Sequence, residues 1–115
     1  MTATLQNQST EYVYIGVTGD IPTGGPPAAE VAFMTGAAEP TAPDWSTAII
    51  VDNAHALFAD AQASGATGDY YVARLVGAFG GTGEALAEGS YQCWVRLTDT
   101  DEQPVLIAPE AVVIE

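Results

Sequence analysis

The chain has 115 residues, with 15 acidic side chains against two arginines and no lysine, so its formal net charge is −13. A nucleic-acid binder needs several basic residues on one face, and anionic membranes attract basic surfaces, so this charge excludes both kinds of partner. The hydrophobic fraction of 48% excludes a disordered chain and provides enough apolar surface for one core.

The N-terminal residues, MTATLQNQST, are polar and lack the basic start and apolar run of a secretory signal. We predict residues 1–10 as an N-terminal arm that becomes ordered on assembly, and residues 11–115 as one domain. Cys93 is the only cysteine, so an intrachain disulfide is excluded. We expect the chain to be made and folded in a cytoplasm.

Strand patterns dominate the predicted domain. The first strand, 11–18, places its aliphatic side chains on one face and Tyr12 and Tyr14 on the other. Further strands are predicted at 30–35, 45–51, 70–76, 90–98 and 105–114. Pro109 in the last of them indicates an edge position or a break into two short strands. Short strands separated by turn signals are typical of an antiparallel β-sandwich.

An alanine-rich segment, 53–64, separates the third strand from the fourth. Ala54, Leu57, Phe58 and Ala61 recur there at helical spacing, and a glycine follows the segment. The pattern predicts a short helix or an irregular crossover.

The sharpest local pattern is Gly89-Ser-Tyr91-Gln-Cys93. A glycine two residues before a tyrosine at the start of a strand is typical of a tyrosine corner, whose phenol bonds backbone a few residues upstream. Gly89 and Tyr91 are therefore predicted to be structural. Tyr91 precedes Cys93 by two residues, as in immunoglobulin domains. The predicted fold class is thus all-β, a single antiparallel immunoglobulin-like Greek-key β-sandwich without its disulfide.

Trp94 and Arg96 fall on the face of their predicted strand opposite Cys93. An exposed tryptophan beside an arginine is the composition of a protein-interaction hot spot. The alternative is that Trp94 is ordinary core packing beneath the 53–64 segment. The same two interpretations apply to three further interface candidates: Tyr12, Tyr14 and Tyr70.

The sequence offers little for metal binding or catalysis. Asp99, Asp101 and Glu102 place three carboxylates in one turn, which makes them a candidate calcium site. The glycine and the distal glutamate of an EF-hand are missing. A solvated hairpin turn is therefore a simpler interpretation than a calcium site. His55 is the only histidine and cannot by itself build a nucleophile, base and orienting group. We therefore expect a protein that is not an enzyme and has no catalytic residue or cofactor.

Five landmarks follow one another over nearly the whole chain. They are Ser-x-Glu-Tyr-Val at 9–13, Val-x-Phe at 31–33, Asp-Trp at 44–45, Ala-Arg-Leu-Val-Gly at 73–77 and Gly-x-Tyr-x-x-Trp-Val-Arg-x-Thr-Asp at 89–99. This ordered set resembles the small immunoglobulin-like structural proteins of actinobacterial tailed bacteriophages. The alanine-rich residues 53–68 depart from that pattern and look inserted.

The resemblance implies a non-enzymatic virion structural protein, a capsid decoration (minor capsid) protein on the outer shell. The resemblance also implies that the chain is made in the bacterial cytoplasm and that its partners are the major capsid protein and copies of itself. The charge favours the capsid exterior, because a protein inside would face packaged DNA. One alternative is a tail or head–tail junction component. Another is a carbohydrate-binding or adhesion module, in which Trp45, Trp94 and the tyrosines form a sugar platform.

Overall fold

The computed structural model describes residues 2–5, 11–24, 27–36, 38–77, 86–100 and 102–114. Eight strands lie in these ranges: β1 (Thr2–Leu5), β2 (Glu11–Val17), β3 (Ala29–Met34), β4 (Ser46–Thr47), β5 (Ile49–Val51), β6 (Tyr70–Val76), β7 (Gly89–Leu97) and β8 (Val105–Ile114). One α-helix, α1 (Phe58–Ala63), and a 3₁₀ turn (Ala42–Asp44) complete the described elements. The prediction of an all-β protein with little helix is confirmed.

The strands form two sheets. The larger has the order β1-β8-β7-β3-β4, and the smaller has the order β2-β6-β5. Neighbouring strands run antiparallel except for β1 and β8, which are parallel. No helix among the described residues is long and apolar enough to span a membrane.

The inner faces of the two sheets share one hydrophobic core. Because side chains alternate along a strand, β2 directs its aliphatic residues inward and its tyrosines outward, as predicted. Strand β7 likewise contributes Cys93, Val95 and Leu97. Residues of β3, β6 and β8 complete the cluster, so the strongest strand patterns of the sequence meet in one place.

The predicted single strand at 45–51 is wrong in one respect. Residues Ser46–Thr47 pair with β3 in the larger sheet, whereas Ile49–Val51 pair with β6 in the smaller sheet. The chain therefore passes from one sheet to the other at Ala48, whose N–H donates to the Ala29 carbonyl at 3.0 Å. Sheet pairing, rather than local propensity, divides the run.

The predicted N-terminal arm is also corrected where the structure describes it. Residues Thr2–Leu5 form a strand beside the end of β8, with Thr2 opposite Ala111 and Leu5 opposite Ile114. This segment carries no charge and contains two β-branched residues, so it is suited to a sheet. Residues 6–10 of the predicted arm lie outside the described residues.

The alanine-rich segment forms a second, smaller core. Helix α1 lies within the predicted range, and its Ala61 is buried with Tyr14 and Tyr71 on the outer face of the smaller sheet. The Phe58 ring meets the Tyr71 ring edge to face, with centroids 5.6 Å apart. The small side chains of Ala61 and Ala66, which are buried, let this part of the chain approach the sheet closely.

Candidate protein-interaction surface

The outer face of the larger sheet carries a group of long polar and aromatic side chains. We call this group, formed by Glu30, Trp45, Trp94 and Arg96, the tryptophan face. Arg96 on β7 lies opposite Glu30 on β3. Its Nε donates to Glu30 Oε1 at 3.0 Å, and its Nη2 lies 2.8 Å from the same oxygen. The Arg96 Cζ lies 4.7 Å from the Trp45 ring centroid, which is the geometry of a cation–π contact.

These contacts hold Arg96 in one orientation. A hydrogen bond and a salt bridge to Glu30 fix its guanidinium group, and the indole of Trp45 packs against one side of it. A side chain that is fixed before binding loses less conformational entropy when a partner binds. A partner that bound the tryptophan face would therefore meet an arginine that is already held in place.

Trp94 lies at the centre of the larger sheet, paired with Ala32 on β3 and with Ile107 on β8. It is half-buried, so part of its indole remains available to a partner. The interpretation that Trp94 packs beneath the 53–64 segment is wrong, because that segment covers the outer face of the other sheet. The alternation of β7 placed Trp94 correctly, but it could not tell which element covers which face.

The first half of β8 exposes three consecutive apolar side chains. Val105 is 48% exposed, Leu106 is 44% exposed and Ile107 is 60% exposed. Ile107 lies next to Trp94, so apolar surface continues from the tryptophan face to this edge of the sheet. Exposed apolar residues that adjoin one another are typical of a contact site rather than of ordinary surface.

Tyr12 and Tyr14 lie on the opposite side of the molecule. Their rings are stacked, with centroids 6.1 Å apart, above the smaller sheet. Tyr14 is only 4% exposed, and its hydroxyl donates to Asp60 Oδ2 of α1 at 2.6 Å. Burial, followed by the hydrogen bond to Asp60, raises the pKa of Tyr14 far above its ordinary value. A groove of about 440 Å³ runs past both tyrosines.

Tyr70 is corrected as an interface candidate. It is 1% exposed and belongs to the shared core, because its position on β6 is opposite the inward-facing Val17 of β2. Burial raises its pKa, with smaller contributions from the negative charges of Asp20 and Asp99. The phenol of Tyr70 therefore packs inside the protein and is not offered to a partner.

Tyr91 and Gly89 lie at the start of β7. The Tyr91 hydroxyl donates to the Ala87 carbonyl at 2.7 Å, four residues upstream. Gly89 has a φ of 146°, a backbone conformation that side-chain-bearing residues rarely adopt. The hydrogen bond and the glycine together fix the path by which the chain enters β7.

The acidic turn after β7 is held together by hydrogen bonds of Asp99. Asp99 accepts hydrogen bonds from Thr100 N at 2.8 Å and Thr23 Oγ1 at 3.0 Å, and these bonds lower its pKa. The Asp99 N–H donates to the carbonyl of Glu102. Asp101, the third carboxylate of the candidate calcium site, lies outside the described residues. No group of three metal-ligating side chains occurs among the residues that the structure describes.

His55 also has a local role, because its Nδ1 accepts the Leu57 N–H at 3.1 Å in the turn before α1. One of the two ring nitrogens of His55 is therefore already bonded to a backbone N–H of the same chain. The imidazole thus helps to shape the entry to the helix.

Several residues of the candidate interaction surface were not identified from the sequence. Glu30 was not singled out, although its position in β3 is visible in the sequence, because its pairing with Arg96 depends on the register between two distant strands. The exposure of Val105, Leu106 and Ile107 was missed as well, since a continuous apolar run is typical of a buried strand. Comparisons with family models, curated proteins and solved structures find no match to this chain.

Proposed function

We propose that this chain is a non-enzymatic structural protein of a bacteriophage virion, bound to the outer surface of the capsid shell as a decoration protein. The observation that carries the proposal is the tryptophan face, in which an arginine is fixed by Glu30 and Trp45 beside a half-buried Trp94. Tryptophan and arginine are enriched among the few residues that dominate binding energy in protein interfaces. Its chemistry is therefore suited to adhesion to another protein.

We further infer an immunoglobulin-like Greek-key sandwich. The order β8-β7-β3-β4 in one sheet follows the immunoglobulin strands G, F, C and C′, and the order β2-β6-β5 in the other follows B, E and D. In this scheme β7 corresponds to strand F, where immunoglobulin domains carry a tyrosine corner, and the bond from Tyr91 to Ala87 supports that assignment.

The net charge supports a place on the outside of the shell. A chain with charge −13 is repelled by packaged DNA, whose phosphates are also negative. Only two basic side chains are present, and Arg96 is engaged by Glu30. The ordered landmarks of the sequence, from Ser9 to Asp99, supply the virion part of the proposal.

The first test counts copies of this chain relative to the major capsid protein in purified virions, by quantitative mass spectrometry. A ratio close to that of the capsid subunit is the expected result. A few copies per particle would favour a tail or head–tail junction component instead. Absence from the particle would overturn the virion proposal altogether.

A second test examines the tryptophan face itself. Trp94→Ala should weaken binding to capsids that lack this protein by about 30-fold or more, as for the loss of one interface hot spot. Tyr12→Ala, on the opposite side of the molecule, is the matched control and should bind like the parent chain. Equal affinity of the parent chain and Trp94→Ala would show that another surface makes the contact.

The carbohydrate alternative has less support. The two tryptophans lie on the larger sheet, whereas Tyr12 and Tyr14 lie on the outer face of the smaller sheet, so they do not form the single platform that was predicted. Binding on a glycan array that is lost in Tyr12→Ala but kept in Trp94→Ala would favour the groove beside Tyr12 as a sugar site.

A further inference from the structure

The first half of β8 is an open sheet edge among the described strands. Strand β1 pairs with β8 only from Ala111 to Ile114, and β7 lies on the other side of β8. Residues 105–108 therefore have a described neighbouring strand on one side only. We call the other side of this stretch the β8 edge.

The backbone of the β8 edge points outward at two residues. The Leu97 N–H donates to the Pro104 carbonyl at 3.0 Å, so this opposed pair is of the hydrogen-bonded type. Because hydrogen-bonded and non-bonded pairs alternate, Leu106 also exchanges bonds with Val95, whereas Val105 and Ile107 direct their N–H and C=O groups away from β7. These outward groups are a template for one more strand.

The side chains of the β8 edge suit an added strand on both faces. Ile107 lies on the outer face beside Trp94, while Leu106 points inward with Val95. A cleft of about 120 Å³ opens there between Leu106, Ile15 and Val17. An incoming strand with alternate apolar residues would direct these residues into the inner cleft, and its intervening residues would pack beside Ile107 on the outer face.

The space along the β8 edge is limited at one end by β1 and at the other by an acidic end of the molecule. From Val105 to the start of β1 opposite Ala111 there is room for about six residues, or roughly 20 Å of strand. Five described carboxylates lie at the same end of the two packed sheets as Val105, in strand ends and loops, and we call them the acidic end: Asp20, Asp52, Asp69, Asp99 and Glu102.

We propose that the β8 edge binds an extended segment of a partner protein by strand addition. The segment has apolar residues at alternate positions and lysine or arginine where it meets the acidic end. The charge distribution selects this partner over a second copy of the same chain, because two copies of charge −13 repel each other and neither has a basic segment to offer. The inference rests on the proposed function in taking the partner to be a protein.

A peptide experiment tests strand addition without using a capsid. The probe is a synthetic peptide, Lys-Lys-Val-Thr-Val-Thr-Val, and its control has glutamates in place of the lysines. Hydrogen exchange of the full chain should slow at the Val105 and Ile107 amides with the basic peptide, and much less with the acidic one. Unchanged exchange at both amides would overturn the inference, as would equal slowing by the two peptides.

The matched variants separate the backbone from the side chain. Ile107→Pro removes an outward N–H while leaving the bonds of Leu106 to β7 in place, and should weaken both peptide and capsid binding at least 10-fold. Ile107→Thr keeps the N–H, so its peptide and capsid binding should weaken less than in Ile107→Pro. If Ile107→Pro fails to fold, Val105→Pro removes the other outward N–H.

The outcomes also distinguish the two proposals. Capsid binding that persists unchanged in Ile107→Pro, with no peptide protection, would overturn strand addition and leave the capsid proposal intact. Slower exchange with the basic peptide, together with no binding of the parent chain to capsids, would support strand addition and overturn the capsid proposal. A dimer of the parent chain that Ile107→Pro dissociates would show that a second copy occupies the β8 edge, contrary to the proposal.

Discussion

The hydroxyl of Tyr14 lies 2.6 Å from Oδ2 of Asp60, so one hydrogen bond joins strand β2 to helix α1. The acceptor is a carboxylate and the tyrosine is buried, which makes this bond stronger than an ordinary surface bond. Tyr14→Phe should therefore lower the free energy of unfolding by about 1–2 kcal/mol, measured by urea denaturation. Tyr12→Phe changes a hydroxyl on the same face but not this bond, and should have a smaller effect. Equal losses in the two variants would contradict this account.

The same tyrosine makes stability depend on alkaline pH. Its pKa is raised in the folded protein, while in the unfolded chain the phenol ionises near pH 10. The folded state thus favours the protonated phenol, and the resulting stability is present below pH 10 and is lost as the pH rises above it. Urea midpoints measured from pH 8 to pH 11 should fall, and Tyr14→Phe should reduce that fall. An identical decline in the variant would assign the effect to other groups, of which buried Tyr70 is the first candidate.

Gly16 marks a place where two parts of the chain touch. A Cβ on this residue would lie 2.0 Å from the backbone oxygen of Thr67, so the crossover from α1 to β6 leaves no space for a side chain. Gly16→Ala should destabilise the protein by about 2–3 kcal/mol, seen as a lower melting temperature. Gly19→Ala is the control, because a Cβ there meets no atom within 4 Å and only its backbone strain is added. A smaller decrease in melting temperature for Gly16→Ala than for Gly19→Ala would show that the backbone at Thr67 shifts to make space for the added Cβ.

The bond from Tyr91 to the Ala87 carbonyl predicts a stability effect without an effect on binding. Tyr91→Phe keeps the ring but removes the donor, and should lower the unfolding free energy by about 1 kcal/mol. Capsid and peptide binding should be unchanged, because Tyr91 lies with Val112 on the inner side of the larger sheet. Chemical denaturation and binding assays on the same variant check both parts. A binding loss larger than the loss of folded protein would show that Tyr91 contributes to the contact surface.

Much of the strand content could be predicted from the sequence. The alternation in β2 and β7 placed Val13, Ile15, Cys93 and Val95 correctly in the core. Such patterns are local, and burial of one face enforces them along the whole strand. The helical spacing around Ala61 succeeded for the same reason.

What could not be predicted depends on contacts between distant residues. Tyr12 and Tyr70 are both tyrosines at the start of a predicted strand. Tyr70 belongs to the core, whereas Tyr12 is half-buried on the outer face. The pairing register decides which face of the sheet each residue occupies. The change of sheet at Ala48 and the pairing of Glu30 with Arg96 also depend on which strands become neighbours. No local pattern carries that information.

The parallel pairing of β1 and β8 determines how the molecule responds to mechanical load. Thr2 lies opposite Ala111 and Leu5 opposite Ile114, so a pull on the chain before β1 and an opposite pull after β8 slide the two strands past each other along their length. In that direction the hydrogen bonds between the strands share the force and must break together, rather than one after another as when a hairpin is peeled open. The unfolding rate under tension should therefore depend strongly on the direction of pulling, with the greatest resistance along the axis of these two strands.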